Sequence, residues 1–167
     1  MQSTASTKEG SAAGYSERPT VGSNDRGVSA VLTLQLLANI DVDDLTRASE
    51  FYCSVLELKI GRRFGQSAVE LIGASSRIYL LQKAAGTLAS SSSSQKRDYG
   101  RHWTPVHLDF VVPQIDPVLA RAIKTGARLE GEVETHDWGR IAVLADPFGH
   151  GFCLIEFLGR GYDEIAS

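Results

Sequence analysis

Residues 101–158 read RHWTPVHLDFVVPQIDPVLARAIKTGARLEGEVETHDWGRIAVLADPFGHGFCLIEFL and contain strand, helix and strand signals in succession. Asp116 opens a predicted helix, Pro117 stands at its first position, and Gly126 closes it. Strands are predicted around that helix over residues 104–112, 128–134, 140–145 and 152–158. The stretch therefore predicts the element order βαβββ.

Two residues of this stretch, His107 and Glu156, are the most suited to chemistry. Alternation sets Glu156 on the same face of the last strand as Phe152 and Leu154. A carboxylate within an apolar face needs a partner, because burial of an unpaired ion is very costly. We expect His107, from the opening strand, to be that partner.

The earlier half of the chain repeats this order. Residues 31–42 alternate apolar and polar side chains, as a half-buried strand does, and Asp44 can cap a helix that covers the apolar side. Three strands are predicted next, over residues 59–64, 67–72 and 77–83, with Tyr79 on the helix-facing side. The chain thus predicts two copies of one βαβββ unit.

The two copies align at a nearly constant spacing. His107 lies 70 residues after Leu37, and Glu156 lies 74 residues after Gln82. Two such units can bury a face that neither could bury alone. We expect a disordered tail (residues 1–29), a first module (30–83), a serine-rich flexible linker (84–101), a second module (102–160) and a C-terminal tail (161–167).

Composition limits the classes of partner. The hydrophobic fraction of 43% and the charged fraction of 22% are typical of a globular protein, and the net charge of -3 argues against nucleic-acid or membrane partners. Apolar runs too short to span a membrane and the lack of a signal peptide predict a cytoplasmic location. Cys53 and Cys153 are expected to be buried thiols in a reducing compartment.

The chain resembles the vicinal-oxygen-chelate superfamily, which contains glyoxalase I, extradiol dioxygenases, fosfomycin-resistance enzymes and bleomycin-resistance proteins. The likeness is carried by VDDLTRASEFYCSVLEL in the first module and by VHLDFVVPQIDPVLARAIKTGA and WGRIAVLADPFGHGFCLIEF in the second. The resemblance implies an α+β fold, in which two βαβββ modules form a curled mixed sheet with a central cup and helices on its outer face. It also implies a homodimer.

Metal-using members of the superfamily take ligands from the first and last strands of each module. The resemblance carries those positions onto Leu37, Gln82, His107 and Glu156. Leu37 cannot bind a metal ion and Gln82 offers only an amide oxygen, whereas a catalytic divalent ion typically has three good protein ligands. The implied metal set of His107, Glu156 and Gln82 is incomplete. We therefore favour no cofactor, with a divalent ion (zinc, nickel, iron or manganese) as the alternative.

Three interpretations of His107 and Glu156 stay open. In the first they are partial metal ligands, completed by Gln82 or a polar neighbour such as Asn39. In the second, Glu156 is a proton-transfer base that His107 holds in place. In the third the pair is structural, within a cup that only binds.

The expected function is that of a glyoxalase/bleomycin-resistance-like protein that binds a small organic ligand in the cup. The alternative is a metal-dependent enzyme, either a glyoxalase-type lyase or a ring-cleaving dioxygenase, that uses His107 and Glu156. The ligand is expected to contact Leu37, Asn39, Gln82, Trp103, Asp109, Phe152 and Leu154.

Overall fold

A computed structural model describes residues 34–167 and shows an α+β protein with one strand–helix–strand unit in each half. The first half contains β1 (Leu37–Val42), α1 (Leu45–Leu56), β2 (Lys59–Phe64), β3 (Ala68–Ile72) and β4 (Arg77–Gln82). The second contains β5 (Leu108–Val111), α2 (Ile115–Lys124), β6 (Arg128–Leu129), β7 (Glu134–His136), β8 (Gly139–Ala145), β9 (Gly151–Phe157) and a 3-10 helix (Gly161–Glu164). The predicted tail over residues 1–29 lies outside the described residues.

Each half builds its own sheet. The strand order is β1-β4-β3-β2 in the first and β5-β9-β8-β6 in the second, where β7 also pairs with β8. In both sheets the first strand runs parallel to the last. Asn39 lies opposite Tyr79, and Asp109 lies opposite Cys153, so the predicted offsets of 70 and 74 residues recur in the strand register. The predicted fold class is confirmed.

The helices cover one face of each sheet. Ile40, Val42, Ile78 and Leu80 of the first sheet are buried in the same core as α1, and Phe152 and Leu154 of β9 belong to it as well. Because side chains alternate along a strand, the intervening residues point to the opposite face of each sheet. We call these surfaces the first open face and the second open face.

The two helices begin in different ways. Asp44 caps α1 by accepting a hydrogen bond from the Arg47 amide at 2.9 Å, as the sequence predicts. The α2 helix begins at Ile115, before the predicted start at Asp116, and Gln114 gives it no side-chain cap. Its first amide instead donates to the Glu156 carboxylate at 2.8 Å. A side chain from a strand of the same module therefore accepts the hydrogen bond of the free amide at the start of α2.

The predicted strands differ from the observed ones where the chain turns. The opening strand of the second module begins at Leu108 instead of Thr104. The strand predicted over residues 128–134 is divided into β6 and β7, with Gly131 between them at a positive φ of 98°. Within residues 34–167 no helix is both long and apolar enough to cross a membrane.

The modules meet through their helices. Arg121 of α2 donates to the carbonyl oxygens of Ser54 and Val55 at the end of α1, at 3.2 and 3.1 Å. The buried hydroxyl of Tyr52 donates to the buried Asp146 carboxylate at 2.6 Å. Each contact joins residues far apart in the sequence, so the two halves share one core.

The serine-rich linker has more order than its composition predicts. Leu88 and Lys96 form an antiparallel bridge on either side of the serine run. Arg97 then donates from Nε to the Asp41 carboxylate at 2.7 Å, which fastens the linker to the end of β1. The linker is a hairpin-like loop attached to the first module.

Candidate functional site

The structure does not bring His107 and Glu156 together. In the parallel pairing of β5 with β9, Leu108 lies opposite Phe152 and Asp109 lies opposite Cys153. His107 alternates with Leu108, and Glu156 shares the face of Phe152, so the two side chains point to opposite faces of the sheet. Glu156 turns toward α2, where it accepts hydrogen bonds from the Ile115 amide at 2.8 Å and from Arg140 at 3.2 Å.

Gln82 occupies the same place in the first module that Glu156 occupies in the second. Its side-chain amide donates to the carbonyl oxygen of Asp43, in the loop before α1, at 3.4 Å. Each of the two side chains therefore forms a hydrogen bond with the backbone where the first strand of its module leads into the helix. The predicted metal set of His107, Glu156 and Gln82 is not assembled.

The other predicted ligand contacts divide between the two sides of the sheets. Phe152 and Leu154 are only 5% and 0% exposed and belong to the core under the helices, so they cannot line an open face. Leu37 and Asn39 are exposed on the first open face, and Asp109 is exposed on the second. Trp103 is 78% exposed and precedes β5.

Three side chains that can bind a metal ion meet on the second open face. His107 Nε2 lies 3.2 Å from Asp109 Oδ1, and Cys153 lies beside Asp109 in the register. One ligand atom from each of the three lies within 4.8 Å of the others. We call His107, Asp109 and Cys153 the second-face triad.

The triad combines one buried group with two accessible ones. Cys153 is 5% exposed, whereas the side chains of His107 and Asp109 are 52% and 40% exposed. Burial raises the pKa of the Cys153 thiol to about 11, and the charge of Asp109 and a hydrogen bond to it act in the same direction. The thiol is therefore protonated near neutrality.

The first open face is organised around a buried carboxylate, Glu70, which is 3% exposed. Arg62 donates to it from Nε at 2.9 Å and from Nη2 at 2.7 Å, and its backbone amide donates at 3.2 Å. The Tyr79 hydroxyl donates at 2.9 Å, and Arg77 Nη1 lies 3.3 Å away. Hydrogen bonds from Arg62 lower the pKa of Glu70 to about 2.

Cys153 and Glu70 are not predicted as site residues from the sequence. Cys153 is the buried thiol that the sequence predicts, and the pairing of Leu108 with Phe152 places it on the face of His107. The placement of Tyr79 on the helix-facing side is wrong, because Tyr79 lies opposite Asn39 and Glu70 and alternates with the buried Ile78 and Leu80. No sequence signal could place Arg62 on Glu70, because that contact depends on a bulge in β2.

The two faces differ in their fit to a metal ion. On the first face the positions equivalent to His107 and Cys153 are Leu37 and Tyr79, and the hydroxyl of Tyr79 already donates to Glu70. That face therefore does not fit a metal ion. The second-face triad offers nitrogen, oxygen and sulfur ligands, a combination that suits zinc or iron better than magnesium or manganese.

Two of the grooves in the described part of the chain border α1. One of about 560 Å³ runs between the end of α1 and β5, and Asp109 and Val111 line part of it. Another of about 700 Å³ lies between α1 and β2, on the helix side of the first sheet, where Ile60 and Arg63 line it. Only the first reaches an open face.

A sequence profile of the glyoxalase-like domain matches residues 38–155, which span both modules. The chain belongs to the glyoxalase-like domain family. This glyoxalase-like chain is also 31% identical over 125 residues to an uncharacterized protein of Mycobacterium bovis, a match that covers 71% of this chain and 80% of that protein. The resemblance to the vicinal-oxygen-chelate superfamily is confirmed.

Solved structures share the fold of this glyoxalase-like chain at low identity. A glyoxalase/bleomycin resistance protein/dioxygenase family enzyme of Burkholderia phytofirmans has 24% identity and a TM-score of 0.58, over 73% of this chain and 97% of that one. A fosfomycin resistance protein of Listeria monocytogenes, complexed with Mn(II) and a dihydroxypropylphosphonic acid, has 16% identity and a TM-score of 0.60. That match covers 81% of this chain and 99% of the other, and it shows the fold alone.

Proposed function

We propose that this protein binds a small organic molecule on the open faces of its sheets. The supporting observation is the surface left uncovered by the helices, where large apolar side chains surround a few fixed polar groups. Leu37, Phe64 and Ile72 are 48%, 43% and 40% exposed on the first face, and Val111 and Val143 are 59% and 40% exposed on the second. Small-molecule sites typically combine an apolar lining with a few oriented polar groups.

The related structures support ligand binding as the class of function. One of them is a fosfomycin resistance protein holding a phosphonic acid, and another is an antibiotic-binding protein of Streptomyces. Their ligands are not transferred to this chain, because the identities are 16% and 18%. A homodimer and a cytoplasmic location remain predictions.

A thermal-shift screen tests the proposal, since a ligand that prefers the folded state raises the melting temperature. Hydroxamates, thiol conjugates, catechols and glycopeptide drugs cover the chemistries expected from the resemblance. The shift in melting temperature caused by each binding compound is then measured for two variants, Ile72→Glu and Ile60→Glu.

The two isoleucines form a matched pair. Ile72 is 40% exposed on the first open face, and Ile60 is 39% exposed in the groove between α1 and β2. We expect Ile72→Glu to abolish the shift of a ligand on the first open face, and Ile60→Glu to preserve it. The reverse result would place the ligand in the groove and contradict the proposal, as would a broad screen without any binder.

The second-face triad favours a second candidate function, a metal-dependent enzyme of the lyase or dioxygenase type. His107, Asp109 and Cys153 would hold the ion, which would supply Lewis-acid or redox chemistry when bound. Three protein ligands with an open position are typical of catalytic zinc. To bind the ion, Asp109 would have to give up its contact with His107.

Metal analysis of the protein purified without chelator decides this candidate. His136 provides the control, because its Nε2 atom contacts Glu134 at 3.2 Å, as His107 contacts Asp109, but no thiol of residues 34–167 completes a triad there. A stoichiometric ion that is lost in His107→Ala and Cys153→Ala, and retained in His136→Ala, supports the metal enzyme. A wild-type protein that binds no added zinc or iron excludes it.

A further inference from the structure

We infer that Arg62 and Arg77 form an anion-binding site on the first open face, which takes the carboxylate or phosphonate end of an apolar or aromatic acid. The inference deepens the proposed function and rests on it, because it names the chemical class of the ligand.

The two guanidinium groups are neighbours because they share one partner atom. Arg62 Nη2 lies 2.7 Å from Glu70 Oε1, and Arg77 Nη1 lies 3.3 Å from the same oxygen. Two positive charges thus meet one negative charge. Among residues 34–167, neither guanidinium has another acidic side chain within 4.0 Å, so the cluster carries one uncompensated positive charge.

The arginines also have hydrogen-bond donors to spare. Arg62 uses Nε and Nη2 on Glu70, and within the described part of the chain its Nη1 donates to no protein atom. Arg77 Nη1 lies 3.3 Å from Glu70 Oε1. Both side chains remain accessible, at 59% and 58% exposure. A guanidinium is a planar fork of donors that matches the oxygens of a carboxylate or phosphonate.

The local backbone is shaped to hold this arrangement. The pairing of β2 with β3 is interrupted between Ile60 and Arg63, so that Gly61 and Arg62 form a bulge beside Glu70. A Cβ atom on Gly61 would lie 2.8 Å from Glu70 Oε2, closer than real contacts allow. Glycine at this position therefore lets the carboxylate lie across β2 and accept both the amide and the side chain of Arg62.

The surroundings indicate what the rest of the ligand is like. The Phe64 ring lies under the Arg62 guanidinium, 5.5 Å from its centroid, and is 6.1 Å from the Tyr79 ring. Leu37 lies opposite Arg77 in the pairing of β1 with β4. An acid whose organic part is apolar or aromatic could bind its charge at the arginines and place its hydrophobic part against Phe64 and Leu37.

The adjacent residue Arg63 provides the control. It lies opposite Val69 and lines the groove on the helix side, so it carries the same charge on the other face of the same strand. Arg77 is the better target, because Glu70 keeps Arg62 and Tyr79 as partners when Arg77 is replaced.

Calorimetric titration of the full-length protein with benzoate and phenylphosphonate tests the inference. We expect Arg77→Gln to weaken benzoate binding by about tenfold, because one charge-assisted contact is lost. Arg63→Gln should change it by less than about twofold, since an exposed charge on the other face is screened. Arg77→Lys should give an intermediate loss of benzoate affinity, because lysine keeps the positive charge but lacks the planar fork of donors. Circular dichroism checks that each variant is folded.

Three results would overturn the inference. Equal losses in Arg77→Gln and Arg63→Gln would show a general charge effect. Equal affinity for benzamide and benzoate would show that the charge is not recognised, while the proposed small-molecule binding would stand. Failure of both acids to bind the wild-type protein would also overturn it, and the proposed function would then be judged by the thermal-shift screen alone.

Discussion

Asn39 lies opposite Tyr79 in the first module and Asp109 lies opposite Cys153 in the second, so the two open faces are built on one register. On the first face a buried carboxylate holds two arginines and a tyrosine. On the second, a half-exposed carboxylate contacts an imidazole and a buried thiol. A repeated backbone thus determines where side chains meet, and residue identity at a few positions determines their chemistry.

The largest expected effect comes from removing the central carboxylate of each face in turn. Glu70→Gln would set an amide N–H against the donors of Arg62 and leave two arginines without a counter-charge, so we expect a marked loss of stability. Asp109→Asn, at a half-exposed site, should change the free energy of unfolding by no more than about 0.5 kcal/mol. Urea unfolding measures both. An Asp109 effect equal to the Glu70 effect would contradict the comparison.

The same carboxylate predicts a pH dependence. The pKa of Glu70 is lowered from 4.5 to about 2 by Arg62, so its stabilising contribution is complete above pH 4.5 and is lost as the pH falls toward 2. Glu130, whose pKa is also lowered to about 2, mainly by Arg101, is the control carboxylate outside the open face. In urea unfolding from pH 7 downward, the free energy of unfolding should fall less steeply with pH for Glu70→Gln and for Glu130→Gln than for the wild-type protein. A pH-independent difference between Glu70→Gln and wild type would refute the assigned pairing.

A third test asks whether side chains on the helix side of the sheets contribute to stability but not to ligand binding. Glu156→Ala should reduce the free energy of unfolding by about 1 kcal/mol, as the loss of a helix cap does. Gln82→Ala, which removes a longer and more exposed hydrogen bond, should cost less. Neither change should alter ligand binding. Loss of ligand binding or of metal in Glu156→Ala at unchanged stability would restore Glu156 as a site residue.

The smallest expected effect concerns the thiol. Because burial and Asp109 raise the pKa of Cys153 to about 11, we expect iodoacetamide to modify Cys153 only slowly near pH 8. Asp109→Asn should accelerate the reaction a few-fold, because it removes the negative charge that opposes the thiolate. Mass spectrometry of the modified peptides measures the rates, with Cys53 as the internal reference. Unchanged Cys153 reactivity would mean that Asp109 does not face it.

Much of the fold was predictable because its signals are local. Asp44 caps its helix, Gly126 ends the other, and the alternation of apolar residues marks the strands. The prediction that His107 contacts Glu156 is wrong because it depends on how two strands that are distant in sequence pair with each other. Local alternation gives each residue a face within its own strand, whereas the pairing of Leu108 with Phe152 decides which faces coincide.

The candidate sites were less predictable than the fold. Cys153 could have been found once Leu108 was paired with Phe152, because alternation then places it on the face of His107. The cluster around Glu70 could not, because a bulge between Ile60 and Arg63 brings Arg62 onto the carboxylate. A bulge shifts the alternation by one residue, and the sequence around Gly61 does not specify where that shift occurs.

The contacts between the helices have a consequence for the covalent chain. Arg121 binds two carbonyl groups in the last turn of α1, and Tyr52 binds Asp146 in the core, while the segment that joins the modules is a surface loop. A protease that cut within the serine run should therefore produce two fragments that remain associated and elute together under native conditions. Separately expressed halves should likewise reassemble on mixing, as in a split-protein pair.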